Sequence, residues 1–192
     1  FLVLLGSATT GVSLFASGYF RQGQGTSPGV LGLQYHLFLA SMGFVLLADD
    51  AYAFMVAWET MALTSYFLVT AQHGIPEIRS AGFLYLLMAH VGAIAILLSF
   101  GVMQGGTWLF SFDAMRASTL PVPWATAAFL LALFGFGAKA GLLPLHVWLP
   151  EAHPAAPSPV SALMSGVMLK TAVYGTLRVT FDLIGDPEWW WG

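Results

Sequence analysis

The 192-residue chain contains six Lys or Arg and nine Asp or Glu residues, so 8% of its residues are charged and its net charge is −3. A soluble domain has about 25% charged residues, and a chain that is 58% hydrophobic has too little polar surface to cover a soluble globule. The same composition excludes intrinsic disorder and a basic nucleic-acid-binding surface. Because cysteine is absent, disulfides and thiolate metal sites are excluded too. The composition therefore predicts a protein that crosses the lipid bilayer several times.

Six apolar segments, taken in chain order, each have the length of about 20 residues that an α-helix needs to cross a bilayer. They lie near residues 1–20, 31–48, 51–70, 80–103, 123–149 and 158–181. Gly, Gln and Pro mark the connectors 21–29 and 72–79, and the longer connector 104–121 has room for a short surface helix. These features predict an all-α polytopic membrane protein with six transmembrane helices.

The chain begins with Phe1, which already lies within an apolar segment. We therefore expect residues 1–192 to be a single transmembrane domain from a longer subunit, and we identify no signal peptide. The arginines of the loops divide equally between the two sides of the membrane, so the positive-inside rule gives no orientation.

Three ionisable residues lie near the middle of predicted membrane segments: Glu59, Lys139 and Lys170. An ionisable side chain at this depth costs about 3 kcal/mol even on lenient insertion scales, so such residues indicate a functional site. One alternative is a purely structural ion pair between Glu59 and a lysine, although two cations and one anion do not balance. Moving a Glu and a Lys together or apart changes the proton affinity of the Lys, which is the elementary step of a proton pump.

The fifth segment has the sequence pattern of a broken helix. Glycines weaken the helix around Lys139, and a proline that follows cannot donate a backbone hydrogen bond. We predict one break near residues 141–150. The residues that mark this break are Gly141, Pro144 and Pro150. Discontinuous membrane helices beside an ionisable residue are typical of transport sites. The alternative is that Gly137 and Gly141 form a small-residue face for helix packing.

Histidines supply further candidates for proton transfer. His90 lies in the middle of a predicted helix, where it either relays protons or makes a satisfied hydrogen bond between helices. His146 lies beside the predicted break, with His153 seven residues later. No His spacing matches a common metal motif, so we predict no metal site and no cofactor in this chain. No nucleophile–base spacing is present either, which argues against an intramembrane enzyme.

The sequence around the predicted break resembles a known family. Residues 138–153 (AKAGLLPLHVWLPEAH), 156–163 (APSPVSAL) and 164–175 (MSGVMLKTAVYG) are similar to the antiporter-like proton-translocating subunits of respiratory complex I and related complexes. Residues 57–61 (AWETM) are similar to the Trp-Glu motif of that family. The resemblance covers essentially the whole chain. Within the family it is closest to the large membrane subunit of formate hydrogenlyase and hydrogenase-4 type complexes.

The resemblance implies roles for the three mid-membrane residues. Glu59 would be the acidic partner on the fifth helix of the family, Lys139 the pumping lysine on the broken seventh helix, and Lys170 the connecting lysine on the eighth. The candidate proton-translocation residues are therefore Glu59, Lys139, Lys170, His90 and His146. The chain would hold one five-helix antiporter repeat, about residues 31–181, plus a preceding helix, and would lack the second, inverted repeat.

The resemblance also implies a function and a set of partners. It implies a non-catalytic, proton-translocating subunit of a redox-driven hydrogenase or formate hydrogenlyase complex in a prokaryotic inner membrane. Its partners would be other membrane subunits and a soluble redox arm that holds nickel–iron and iron–sulfur centres. The alternatives are a subunit of NADH:quinone oxidoreductase or of a sodium/proton antiporter, and a structural membrane anchor that conducts no protons.

Overall fold

The computed structural model describes residues 1–22 and 26–184, which form a bundle of helices. The helices are α1 (Leu2–Tyr19), α2 (Pro28–Leu47), α3 (Ala51–Val69), α4 (Pro76–Met103), α5 (Phe112–Ala117), α6 (Val122–Ala140), α7 (Leu149–Ala155) and α8 (Ser158–Leu183). Six segments are long and apolar enough to cross a membrane, with α6 and α7 together forming the fifth. The predicted all-α class and the six membrane segments are confirmed.

Two helices begin earlier than the sequence predicted because a proline begins each of them. The first residue of α2 is Pro28 and that of α4 is Pro76, whereas the predicted segments began near residues 31 and 80. Proline has no N–H, but the first helical turn leaves its N–H groups unbonded, and the fixed φ of proline suits that turn. These two prolines therefore belong to helices and not to the connectors.

The α2–α3 turn and the long α4–α6 connector are hydrogen-bonded to each other at one end of the bundle. Ala51 N donates to Phe110 O at 2.9 Å, and Phe112 N donates to Asp49 O at 3.0 Å. The short surface helix predicted in this connector is present as α5. The pairing holds α5 against the turn that begins α3.

Ion pairs attach α8 to the same end of the bundle. Arg116 of α5 pairs with Asp49, Asp113 and Asp182, and its Nε lies 2.8 Å from Asp182 Oδ1. Arg178 pairs with Asp182 at 2.8 Å and with Asp49 at 3.5 Å. The hydrogen bond to Asp182 is the main cause that raises the pKa of Arg116 above its usual value. Five charged side chains therefore join α5, α8 and the α2–α3 turn.

The fifth membrane segment is broken, as predicted. After α6 ends at Ala140, Gly141 has a φ of 77°, a left-handed conformation that glycine adopts without strain. The chain then passes Pro144 and a 3₁₀ turn, Leu145–Trp148, before α7 begins. Pro150 lies in the first turn of α7. It was predicted to mark the break, but a proline in that position favours the start of a helix.

Two glycines allow α4 and α6 to pack closely. A Cβ at Gly92 would lie 2.9 Å from the backbone oxygen of Gly135, and a Cβ at Gly135 would lie 2.5 Å from the backbone oxygen of Gly92. Gly137 and Gly141 instead face leucines of their own broken segment. The close contact between the α4 and α6 backbones is therefore formed by Gly92 and Gly135, and not by the pair Gly137 and Gly141.

The last membrane helix, α8, changes its hydrogen-bonding pattern along its length. It is α-helical over Ser158–Leu163 and Leu169–Leu177, and π-helical over Met164–Met168 and Arg178–Leu183. A π turn holds one more residue than an α turn and often occurs at functional positions. The first π-helical turn ends two residues before Lys170, a placement that the apolar pattern of the sequence did not predict.

We expect Gly92→Ala to destabilise the bundle by about 1–3 kcal/mol, because the new methyl group meets a backbone oxygen of α6 at 2.9 Å. Thermal unfolding of the full-length subunit in detergent measures the loss. Gly101→Ala on the same helix is the matched control, since a Cβ there meets no described atom within 4 Å. Equal melting temperatures of the two variants would contradict this account of the α4–α6 contact.

Candidate functional site

Lys139 lies in the last turn of α6, directly before the break, and is 3% exposed. Its Nζ donates a hydrogen bond to the hydroxyl of Tyr85 on α4 at 2.6 Å. Among the described residues, no carboxylate forms an ion pair with this ammonium. The carbonyl end of α6 carries a partial negative charge that favours a cation at this position. The buried lysine therefore depends on a phenol and on a helix terminus.

The hydroxyl of Tyr85 also contacts a buried serine of a third helix. The side chains of Tyr85 and Ser65 are 1% and 0% exposed, and their oxygens lie 2.5 Å apart. Ser65 lies on α3 and donates to Met61 O at 2.6 Å. A chain of polar atoms thus runs from Lys139 on α6 through α4 to α3, within an otherwise apolar core.

Trp148 covers this polar chain from the broken segment. Its ring centroid lies 5.0 Å from that of Tyr85, and its Nε1 donates to Ala138 O at 2.8 Å. Because α6 ends at Ala140, the carbonyl of Ala138 has no partner of its own in the helix. The indole therefore satisfies a carbonyl that the break leaves free and packs beside the lysine at the same time.

Glu59 meets His90 and not a lysine. Glu59 Oε2 on α3 lies 3.5 Å from His90 Nε2 on α4, and the two side chains are 31% and 47% exposed. They line a groove of about 460 Å³ on the outer face of α3 and α4, otherwise formed mainly by apolar side chains such as Leu63, Ile94 and Leu97. His90 was predicted to relay protons or to bond between helices, and the structure places it across a helix interface from Glu59.

The other ring nitrogen of His90 faces a backbone carbonyl of its own helix. His90 Nδ1 lies 2.9 Å from Leu86 O. A carbonyl oxygen accepts only, so we assign a hydrogen to Nδ1. Nε2 then attracts the Glu59 carboxyl group when either of the two carries one further proton. Nε2 is thus the ring nitrogen that faces the Glu59 carboxyl group.

Lys170 lies on the exposed side of α8. Its Nζ donates to Ser165 O at 2.5 Å, and Ser165 belongs to the first π-helical turn. Lys170 forms no ion pair with any described carboxylate. The structure therefore does not support the alternative of a structural Glu–Lys pair, because Glu59, Lys139 and Lys170 each have a different partner.

His146 lies in the 3₁₀ turn of the break, as its sequence position suggested. Its Nδ1 is buried and has no hydrogen-bond partner among the described residues. His153 lies on α7 and its Nδ1 lies 2.9 Å from Ser161 Oγ. Among the described residues, no group of three His, Asp or Glu side chains is placed to hold a metal ion.

Sequence reasoning missed Tyr85 and Ser65. Tyr85 contacts Lys139 directly, and Ser65 contacts the hydroxyl of Tyr85. Neither side chain carries a charge, so neither stands out from the apolar helix around it as Glu59 or Lys139 does. The available signal was weaker: a serine and a tyrosine inside apolar helices need hydrogen-bond partners of their own. That need identifies them as polar contacts but does not say which residue they contact.

The comparisons with known proteins extend over the whole bundle. Residues 48–191 match the family model described as NADH:quinone oxidoreductase/Mrp antiporter, TM. The chain belongs to this family of antiporter-like membrane subunits. It is 45% identical to hydrogenase-4 component B of Escherichia coli, over 99% of this chain and 29% of that protein. It is 31% identical to NAD(P)H-quinone oxidoreductase chain 4 of a Picosynechococcus species, over 82% of this chain and 29% of that one.

Solved structures of this antiporter-like family have the same fold. The Mrp complex of a Dietzia species matches with a TM-score of 0.70 at 29% identity, over 77% of this chain and 16% of the matched chain. The membrane-bound sulfane sulfur reductase, an archaeal respiratory membrane complex, matches with a TM-score of 0.72 at 29% identity. This match covers 90% of this chain and 28% of the matched chain. The chain thus spans less than a third of the length of each of these four relatives. The predicted family and the likeness to hydrogenase-4 subunits are confirmed.

We expect Trp148→Phe to destabilise the broken segment by about 1–3 kcal/mol, because the buried Ala138 carbonyl loses its donor while most of the ring is kept. Protease sensitivity at residues 141–148 and the melting temperature of the full-length subunit measure the effect. Trp124→Phe on the exposed side of α6 is the matched control. A melting temperature of the Trp148 variant as high as that of the control would contradict the role given to the indole.

Proposed function

We propose that this chain is the proton-translocating part of a membrane subunit in a redox-driven complex of the hydrogenase or formate hydrogenlyase type. The observation that carries the proposal is the burial of Lys139 beside a break in its helix, with a neutral phenol as its partner. The 45% identity to hydrogenase-4 component B supports the type of complex. An ammonium in an apolar interior is costly, so it is retained where its charge has a use.

A change in nearby charge is sufficient to control such a lysine. At about 6 Å and an effective dielectric of about 20, one opposite charge stabilises an ammonium by roughly 2.8 kcal/mol, which is a factor of about 100 in proton affinity. Among the described residues, Glu59 is the acidic residue in a neighbouring helix at this depth, and its carboxyl group contacts His90. We propose that a change in the charge of Glu59 acts on Lys139 through its electric field.

The candidate residues lie on helices that pack in succession. Glu59 and His90 lie where α3 meets α4, Lys139 lies on α6 against α4, and Lys170 lies on α8, which packs on α6. Each position lies near the middle of its membrane segment. This order supports a lateral proton route from the α3–α4 groove to Lys139 and then to Lys170, and His146 lies in the break that follows Lys139.

The redox chemistry belongs to other subunits in this proposal. The chain has no cysteine, so the thiolate ligands of nickel–iron and iron–sulfur centres come from partner chains. Its relatives are named as a component or a chain of larger assemblies. We place the subunit in a prokaryotic inner membrane, with other membrane subunits and a soluble redox arm as its partners. Energy from the redox reaction would reach it as a change of shape or of charge.

Lys139→Arg in the full-length subunit tests whether the lysine must lose its proton. Arginine keeps the positive charge and can donate to Tyr85, but it does not deprotonate in proteins. We expect proton translocation to be lost while the assembled complex keeps its redox activity. Acidification of inside-out vesicles is measured together with redox turnover, in the presence and absence of sodium.

Lys139→Ala is the second variant for the same test, and it removes the charge entirely. Normal proton translocation by either variant would overturn the proposal, whereas loss of redox turnover together with translocation would favour a structural anchor. Translocation that requires sodium would instead favour the sodium/proton antiporter alternative, which the likeness to the Mrp complex supports.

Glu59→Gln tests the acidic position separately. The amide keeps the size of the side chain but cannot hold a proton or a negative charge, so we expect proton translocation to fall at least tenfold. Glu77→Gln is the matched control, because Glu77 lies in the exposed first turn of α4 and forms no ion pair with a described residue. Equal translocation rates of the two variants in the vesicle assay would exclude Glu59 from the route.

A further inference from the structure

We infer that Tyr85 and Ser65 form a hydroxyl switch that positions the ammonium of Lys139 and sets the pH at which it loses its proton. The inference rests on the proposed function of Lys139 and adds two residues that carry no charge. The three side chains come from three helices, and each is at most 3% exposed. The oxygen–nitrogen and oxygen–oxygen distances of 2.6 Å and 2.5 Å are those of hydrogen bonds.

The charged state of Lys139 determines the direction of every hydrogen bond in the chain. An ammonium has no lone pair, so Nζ donates and the Tyr85 oxygen accepts. The hydrogen of Tyr85 then goes to Ser65 Oγ, and the hydrogen of Ser65 goes to Met61 O at 2.6 Å. The sulfur of Met168, 3.7 Å from the Tyr85 hydroxyl, is a weaker acceptor for the same hydrogen. Every polar hydrogen on the phenol and the serine has an acceptor in this arrangement.

Loss of the proton reverses the first bond. A neutral amine has one lone pair, and the hydroxyl of Tyr85 is the group placed to donate to it. Tyr85 then releases Ser65, whose hydrogen bond to Met61 O is unaffected. The phenol therefore responds to the charge of the lysine by turning one O–H bond, with no movement of a helix.

The chain of hydroxyl groups does not conduct the proton itself. It ends at the backbone carbonyl of Met61, which accepts a hydrogen bond but has no proton to pass on. Tyr85 and Ser65 are accordingly positioning residues, and the proton reaches and leaves Lys139 by another path. The donor–acceptor order determines only how strongly the site prefers the ammonium over the amine.

Other titratable groups on the neighbouring helices are occupied elsewhere. On α3 and α4, Glu59 and His90 contact each other, and on α8 Lys170 contacts Ser165 O. Tyr85 is the one described titratable side chain in contact with Lys139 Nζ. A change at the phenol is therefore expected to affect Lys139 first.

The pH profile of proton translocation tests the inference, with the full-length subunit assembled in its complex and reconstituted in liposomes. Tyr85→Phe keeps the ring beside Trp148 but removes the oxygen that accepts from the ammonium. The amine form is then favoured, so the alkaline limb of the profile is expected to move to lower pH by about one unit. Ser65→Ala leaves Tyr85 free to donate to Nζ. This variant should move the alkaline limb in the same direction, by less than Tyr85→Phe does.

Tyr66→Phe is the matched control. It removes the same atom from the neighbouring stretch of α3, where the hydroxyl makes no hydrogen bond to a described residue, and the profile should not move. An unshifted profile for assembled Tyr85→Phe, or a rate that falls equally at every pH, would overturn the inference. If that variant does not assemble, the shift or its absence in Ser65→Ala decides. Normal translocation by Lys139→Arg would instead defeat the proposed function.

Discussion

The structure depends on one constraint: a polar group inside a membrane-spanning bundle has no water to bond and must find a partner in the protein. The break after Ala140 leaves the carbonyl of Ala138 without its helical donor, and this carbonyl is bonded within the broken segment. Leu142 N donates to Gly137 O at 2.9 Å, and Trp148 Nε1 donates to Ala138 O at 2.8 Å. Trp148 is the buried residue of this segment, whereas Leu142 and Leu143 are exposed, and Lys139 lies directly before the break.

The close packing of α4 on α6 makes the lysine site possible. Gly92 and Gly135 let the two backbones touch, and Tyr85 lies two turns before Gly92 while Lys139 lies one turn after Gly135. The helices run antiparallel, so these offsets lead to the same end of the interface. A larger side chain at the crossing would separate the helices and lengthen the 2.6 Å bond between Lys139 and Tyr85.

The sequence predicted the parts of the fold that depend on local composition. Apolar runs defined the six spans, and Gly141 with Pro144 located the break, because helix length and backbone hydrogen bonding are local properties. Partner choice is not local. That Glu59 meets His90, and that Lys139 meets Tyr85, depends on how each helix is rotated about its axis and where the helices cross. Gly92 and Gly135 form one such crossing, but nothing in the sequence distinguishes these two glycines from the other glycines of the membrane segments.

A phenol is a better partner than a carboxylate for a lysine that must exchange its proton. Separating a buried ion pair leaves a bare charge and costs about 3–5 kcal/mol, whereas a hydrogen bond from a charged group to a neutral one contributes about 1.5–3 kcal/mol. The hydrogen bond from Lys139 to the Tyr85 hydroxyl therefore stabilises the buried ammonium without a second charge. The carboxylate at this depth among the described residues, Glu59, contacts His90 instead. The group that stabilises the ammonium of Lys139 is therefore a neutral hydroxyl on α4 and not this carboxylate.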